Sequence, residues 1–496
     1  MLRFVPPRQQ RLSHTPSWPE AKPPKRRTAF SRRPALEVLS VVIDASLMED
    51  HTVGVNLTRR HLLQGLLTHD LVSLLRYSDS GPPADVQHAP DPYPAAASGW
   101  LVVGDFDPIM NDWPVTAYDG ETITETGFGG DLPTFAERDA DDRSYARLDA
   151  EEASAKRRAD VVAAQAAKAI DADLFITTRP YLHSAAWIIV DGLVIATPEQ
   201  ALPLVGLYLR AQGEFVVWRN VDGRGSWTRN RGLFYARGAF ELVPHGWTTL
   251  TALAYEAQSG GGDRVAAQLA RTLFWRLEQT LVARDNMYWA LNMPQDNDVA
   301  DEALSAFDIA VLMLMGAVDA SARIVHRLLN LEREKPAAWQ DKDWRKLVRS
   351  VSPLLGKVAG TSTHQESLRI LRGLRNTIHG PRLDPLAVAG ELKHERTAVQ
   401  LPADEQERML VAMKNLGGLA RFGVERFGGD RYHADPAKLL DAILARITKM
   451  LDVVLEEIPV PKFPTAHQGV ITPQQQFAHA AFGDVPGESV LWQLDL

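Results

Sequence analysis

The chain has 496 residues, 45% of them hydrophobic and 23% charged, with a formal net charge of −8. That is too long for one ordinary core and too apolar for a disordered chain, so two or three globular domains are expected. Cysteine is absent, which excludes disulfides, thiolate metal sites and cysteine nucleophiles, and the acidic balance confines any phosphate binding to local basic patches.

Residues 1–35 carry Pro6, Pro7, Pro16, Pro19, Pro23 and Pro24 with Arg26, Arg27, Arg32 and Arg33, and show no hydrophobic period. They predict a disordered basic arm. The first residues lack the apolar core of a signal peptide, and no later run reaches the about 18 uninterrupted apolar residues of a membrane span. The expectation is a cytoplasmic protein without a membrane partner.

An α/β domain with a mainly parallel sheet is expected over residues 36–212. It opens with Val38-Leu39-Ser40-Val41-Val42-Ile43-Asp44, an apolar, β-branched run of the kind found in buried parallel strands. A helical stretch is predicted from Arg59 to Leu75 and a strand from Trp100 to Val103, with an acidic, irregular segment from Asp105 to Asp142. A helix over 150–170 leads into the strand Leu174-Phe175-Ile176-Thr177, followed by strands at Ile188-Ile189-Val190 and Val194-Ile195 and a helix from Pro198.

Residues 213–248 read as a β-hairpin connector, Phe215-Val216-Val217-Trp218 pairing with Gly232-Leu233-Phe234-Tyr235. Arg219, Arg224, Arg229, Arg231 and Arg237 interleave there with Trp218, Trp227 and Tyr235, a pattern suited to stacking on single-stranded RNA. The competing account is a ribbon packed against a neighbour. From 249 to 458 a helical bundle is predicted, with helices near 262–283, 303–331, 341–357, 361–379, 403–427 and 436–457. A loosely attached extension, 459–496, follows.

The helix over 361–379 has a capping-box pattern at Thr363 and Glu366 and ends at Gly380-Pro381. Leu371, Leu374 and Ile378 form its core stripe, and Arg372, Arg375, Asn376 and His379 border it. Histidine titrates near neutrality and can move the proton of a ribose 2′-hydroxyl or of a leaving 5′-oxygen. Arginine can hold the scissile phosphate, and Asn376 could orient either. The competing account is a polar helix end with His379 beside the C-terminal dipole. Asp319 and Arg323, one turn apart in the apolar helix over 303–331, need partners and are expected either to face His379 or to pair with each other. A second Arg-x-x-x-His, Arg179 to His183, lies in a predicted loop.

The string Arg375-Asn376-Thr377-Ile378-His379 resembles the signature of HEPN domains, over roughly residues 300–460. The resemblance implies an all-helical, commonly dimeric domain whose active members are metal-independent endoribonucleases of toxin, CRISPR and anti-phage systems, while others only bind RNA or nucleotides. The usual interval is longer than the three residues between Arg375 and His379. The six between Arg372 and His379 fit it, so either arginine can carry the role.

The first strand, with Asp44 at its end where open α/β sheets bind ligands, resembles that of PIN-like nucleases. Ala159-Asp160-Val161-Val162-Ala163-Ala164 resembles the acidic start of that family's later helix. Asp171 to Thr178 and Thr197-Pro198-Glu199 resemble the elements that follow. Active members hold Mg²⁺ or Mn²⁺ on several carboxylates, here Asp44 and Asp160. Where such a member has an aspartate after the strand threonine this chain has Arg179, and a second family acid is not placed, which favours an inactive module used for binding or dimerisation.

The resulting expectation is an RNA-acting, metal-independent endoribonuclease of HEPN type in a toxin or anti-phage setting. It would need no cofactor at the helical site and would form a homodimer through the helical domain. The alternatives are a non-catalytic RNA-binding or scaffold protein, and a metal-dependent PIN-type nuclease.

Overall fold

A computed structural model describes residues 38–47, 59–82, 99–118, 123–140, 142–184, 192–218, 225–228, 230–260, 262–293, 297–332, 337–379, 385–389, 395–426, 430–459 and 488–496. The basic arm over 1–35 and the strand at Ile188-Ile189-Val190 lie outside them. The chain divides into two compact units, Met1–Gln212 and Gly213–Leu496.

The first unit contains β1 (Leu39–Asp44), α1 (Arg59–Leu67), β2 (Val72–Tyr77), β3 (Gly99–Val103), β4 (Asp112–Tyr118), β5 (Ile123–Gly129), α2 (Asp131–Glu137), α3 (Ala150–Ala169), β6 (Leu174–Ile176), β7 (Val194–Ala196) and α4 (Pro198–Ala211). Its seven-stranded sheet has the order β5-β4-β3-β2-β1-β6-β7. β3, β2, β1, β6 and β7 are parallel, and β4 and β5 add an antiparallel edge. β1 is central and covered on both faces, so it reads as unbroken apolar sequence. Val42 and Phe175 face α3, whose Ala163, Ala164, Ala166 and Ala167 are small enough to lie close on the sheet. α1 packs on α4, which starts with a capping box between Thr197 and Gln200.

Two expectations for this unit are corrected. The helix from Arg59 stops at Leu67, and Val72–Tyr77 is a strand; so short an apolar run does not separate a buried strand from a helix by period. The segment Asp105–Asp142 is not irregular, since it holds the β4–β5 hairpin and α2. β5, an edge strand, is mostly polar and exposed, which masked its alternation.

The second unit contains β8 (Phe215–Trp218), β9 (Gly225–Thr228), α5 (Arg231–Leu242), α6 (Pro244–Ser259), α7 (Arg264–Leu291), α8 (Asn297–Leu328), α9 (Lys342–Val351), α10 (Pro353–Ala359), α11 (Ser362–His379), β10 (Pro385–Ala389), β11 (Glu395–Gln400), α12 (Gln406–Asn415), β12 (Val424–Arg426), β13 (Tyr432–Ala434), α13 (Pro436–Glu456) and α14 (Glu488–Leu494). α7 and α8 form its spine, with α11 and α13 against α8 and α5 and α6 against α7. α8 buries Phe307, Val311, Leu314, Val318 and Val325 at helical spacing. It is long and apolar enough to cross a membrane, but most of that stretch is buried inside the unit.

This unit is helical but not all-α, because β10-β11-β13-β12 form an antiparallel sheet. The hairpin partner of Phe215–Trp218 is Gly225–Thr228, and residues 232–235 lie in α5, which Asn230 caps. The helix expected over 341–357 breaks at Ser352-Pro353, and that over 403–427 ends at Asn415 before β12. Of the loosely attached extension expected over 459–496, residues 460–487 lie outside the described residues, while 488–496 are held: Val490 and Leu494 of α14 are buried, and the Gln493 amide donates to the Val216 carbonyl at 3.0 Å.

Candidate functional sites

α11 begins one residue after Thr361, whose hydroxyl accepts the His364 N–H at 3.4 Å. The cap is thus Thr361, and Thr363 lies inside the helix. Leu371 and Leu374 are buried and Ile378 packs partly against the same core. Arg369, Arg372 and Arg375, three residues apart, are exposed. The Asn376 amide donates to Glu405 Oε1 at 3.1 Å, just before α12. His379 closes the helix; its side chain and Gly380 lie outside the described residues.

α8 brings Asp319 and Arg323 to this face. Burial raises the Asp319 carboxyl above the usual range, and the positive charges of Arg323, Arg375 and Arg276 oppose that shift. Asp319 thus lies within the field of three arginines, one of them Arg276 of α7, which no single-helix pattern in the sequence brings to this face. Arg276 Nη1 donates to the Gly316 carbonyl. A Cβ at Gly316 would stand 2.9 Å from Arg276 Cζ, so the glycine lets the guanidinium lie across α8. Among the described residues Arg323, Arg372 and Arg375 have no carboxylate at ion-pair distance. Their forks are available to a phosphate.

In the first unit, Asp44 ends β1, Asp79 follows β2, and Asp160 lies in the middle of α3 rather than at a helix start. All three meet Arg179. Its Nε is 3.1 Å from Asp44 Oδ1 and 3.3 Å from Oδ2, its Nη2 is 3.1 Å from Asp44 Oδ1 and 2.9 Å from Asp79 Oδ1, and its Nη1 is 3.4 Å from Asp160 Oδ1. The Thr177 hydroxyl donates to Asp44 and accepts the Arg179 N–H at 3.1 Å. Asp160 also accepts the Tyr145 hydroxyl at 2.8 Å and the Tyr181 N–H at 3.3 Å. The cluster sits where the strand order reverses beside β1, the ligand position of open α/β sheets.

Burial pushes the Asp160 carboxyl up to about 6, against the Tyr145 hydroxyl and the Arg179 charge that favour its ionised form. For Arg179 burial disfavours the charge, but Asp44 and Asp79 outweigh it and raise its pKa. Burial followed by the Asp160 charge raises Tyr145, which stays a proton donor.

These carboxylates do not fit a divalent ion while Arg179 is in place. Mg²⁺ needs its oxygens about 2.0–2.1 Å from one point. Here the oxygens fan around separate nitrogens, and the guanidinium fills the space between them. Among the described residues no group of three or more histidine, aspartate or glutamate side chains is disposed to hold a metal. Asp79 is not legible in the sequence, because the short apolar run of β2 does not separate strand from helix, and Arg179 stands there only as a departure from the PIN-like pattern. His183 Nε2 lies 3.0 Å from the Thr177 carbonyl, a local loop contact.

Of the basic-aromatic hairpin surface, Arg219, Arg224, Arg229 and the Trp227 side chain lie outside the described residues. Arg231 is exposed at the start of α5, 5.9 Å from the Tyr235 ring centre. Tyr235 belongs to the core instead, donating to Asp285 Oδ2 at 2.7 Å, and Arg237 is held by Glu241 at 2.6 Å. Neither serves a stacking surface.

No protein-family model matches the chain, and neither a curated protein nor a solved structure matches it.

Proposed function

We propose that the helical unit has a HEPN-like fold and acts on RNA as a metal-independent endoribonuclease, and that the α/β unit is PIN-like without metal chemistry. The observation that carries this reading is that the charges of Arg375 on α11, Arg323 on α8 and Arg276 on α7 all act on Asp319 of α8, with Arg372 exposed one turn before Arg375. Fixed guanidiniums hold the non-bridging oxygens of a phosphodiester and stabilise the charge that grows on them. His379 takes the proton of the 2′-hydroxyl, O2′ attacks phosphorus, and the P–O5′ bond breaks. The leaving oxygen takes a proton, giving a 2′,3′-cyclic phosphate and a 5′-hydroxyl. Homodimerisation through this unit and a cytoplasmic toxin or anti-phage role belong to the same proposal.

Binding without cleavage is a second reading, favoured by one observation: Asn376, the polar residue of the motif, already gives its amide to Glu405. Labelled single-stranded RNA incubated with the full chain in EDTA separates the two. Cleavage lost in His379→Ala, with binding weakened in Arg375→Ala, is the expected result. Binding without cleavage moves the assignment to the second reading, and RNA that is neither bound nor cut sinks both.

A further inference from the structure

We propose that Arg179 is the resident cation of the α/β unit, standing where three carboxylates converge and making a divalent metal unnecessary to the folded state. Three anions brought to one edge of a sheet repel each other and lose hydration, and each must find compensation. Asp44 is 7% exposed and Asp160 2%, so for these two the compensation has to come from within the protein. The guanidinium supplies it in a form a lysine could not: a planar fork whose three nitrogens address three carboxylates at once.

Its placement is built rather than incidental. Thr177 accepts the Arg179 N–H and donates to Asp44, setting both partners from the end of β6. The Tyr77 ring, its centre 5.3 Å from Arg179 Cζ, closes one side. The contacts join residues 135, 100 and 19 positions apart, so one side chain ties β6 to β1, to the end of β2 and to α3. With one cation among three carboxylates the cluster keeps a net negative charge and does not attract phosphate. This inference concerns a different unit from the RNA-cleaving site and stands or falls separately.

The test uses the full chain at pH 7.5, titrated calorimetrically with MnCl₂, with amide hydrogen exchange read for β1 and β6 in EDTA and in Mn²⁺. Wild type should bind no Mn²⁺ at this cluster and exchange identically in both. Arg179→Met should lose protection of β1 and β6. Adding Asp44→Asn and Asp160→Asn to it should restore most of that protection, because the stranded anions are gone. If Arg179→Met does not fold, recovery of the fold in the triple variant supports the proposal, and failure to recover overturns it. Mn²⁺ binding by wild type that disappears in Asp44→Asn would overturn it, as would full protection in Arg179→Met.

Discussion

Arg284 and Asp441, 157 positions apart, are joined by two hydrogen bonds, Nε to Oδ1 at 2.6 Å and Nη2 to Oδ2 at 3.1 Å. The remaining nitrogen donates to the Leu494 carbonyl, so one side chain ties α7 to α13 and α14. Arg284 is 2% exposed. Asp441→Asn removes the hydrogen-bonded carboxylate of a buried guanidinium and, among the described residues, leaves only the Asp285 charge beside it; with Asp441 28% exposed, the cost should be about 1–3 kcal/mol. Urea unfolding followed by fluorescence checks this; a loss within about 0.5 kcal/mol, the range of ordinary surface changes, would refute it.

Ser321 on α8 and Trp339 beyond it make a second buried link, the indole N–H donating to the Ser321 hydroxyl at 2.8 Å while that hydroxyl donates to the Val318 carbonyl. Ser321→Ala strands the indole N–H, a loss of about 1–3 kcal/mol. Ser321→Thr, which keeps the oxygen, should lose less if the added methyl is accommodated. Equal losses would point to packing instead.

His245 on α6 lies 2.8 Å from Asp452 Oδ2 and 3.6 Å from Glu456 Oε1 on α13. The hydrogen bond to Asp452, with the charges of both acids, raises its pKa above the ordinary value. A raised folded-state pKa means the contribution is complete below about pH 6.5, the unfolded value, and is lost as pH rises through the folded one. The side chain is half exposed, so solvent screens the effect. Protection of α6 in hydrogen exchange, corrected for the intrinsic rate, should fall over that window. In His245→Ala it should stay flat, because Asp452 Oδ1 still accepts the backbone N–H of residue 245.

Gly316→Ala tests the arginine face without touching an arginine. Alanine favours the helix interior by about 1 kcal/mol, but its Cβ would displace the Arg276 guanidinium and break its bond to the Gly316 carbonyl. Stability should change little, and if the RNA-binding proposal holds with Arg276 as part of that face, RNA affinity should fall. Unchanged RNA affinity would remove Arg276 from the site.

Legibility followed how local each signal was. β1 is written in its own residues, an apolar run ending in Asp44, and α11 in its stripe of Leu371 and Leu374. β2 and the β4–β5 hairpin were not legible, because one is too short for its period to decide and the other lies on a polar edge. The cluster at Arg179 was out of reach for a different cause. Its members come from β1, from the end of β2, from mid-α3 and from the residues after β6, and only the strand order brings them together. Arg276 likewise needs the crossing of α7 and α8 at Gly316, which no single helix records.

The bond from Gln493 to the Val216 carbonyl spans 277 positions, and it bears on how the helical unit comes together in time. Its helices can nucleate locally within microseconds, but the contacts that hold β8, α13 and α14 in place are among the most distant in the chain. Such closures are entropically late events. A unit rich in helix should therefore condense at the pace of a non-local fold, with its hairpin and its final helix gaining protection together and last.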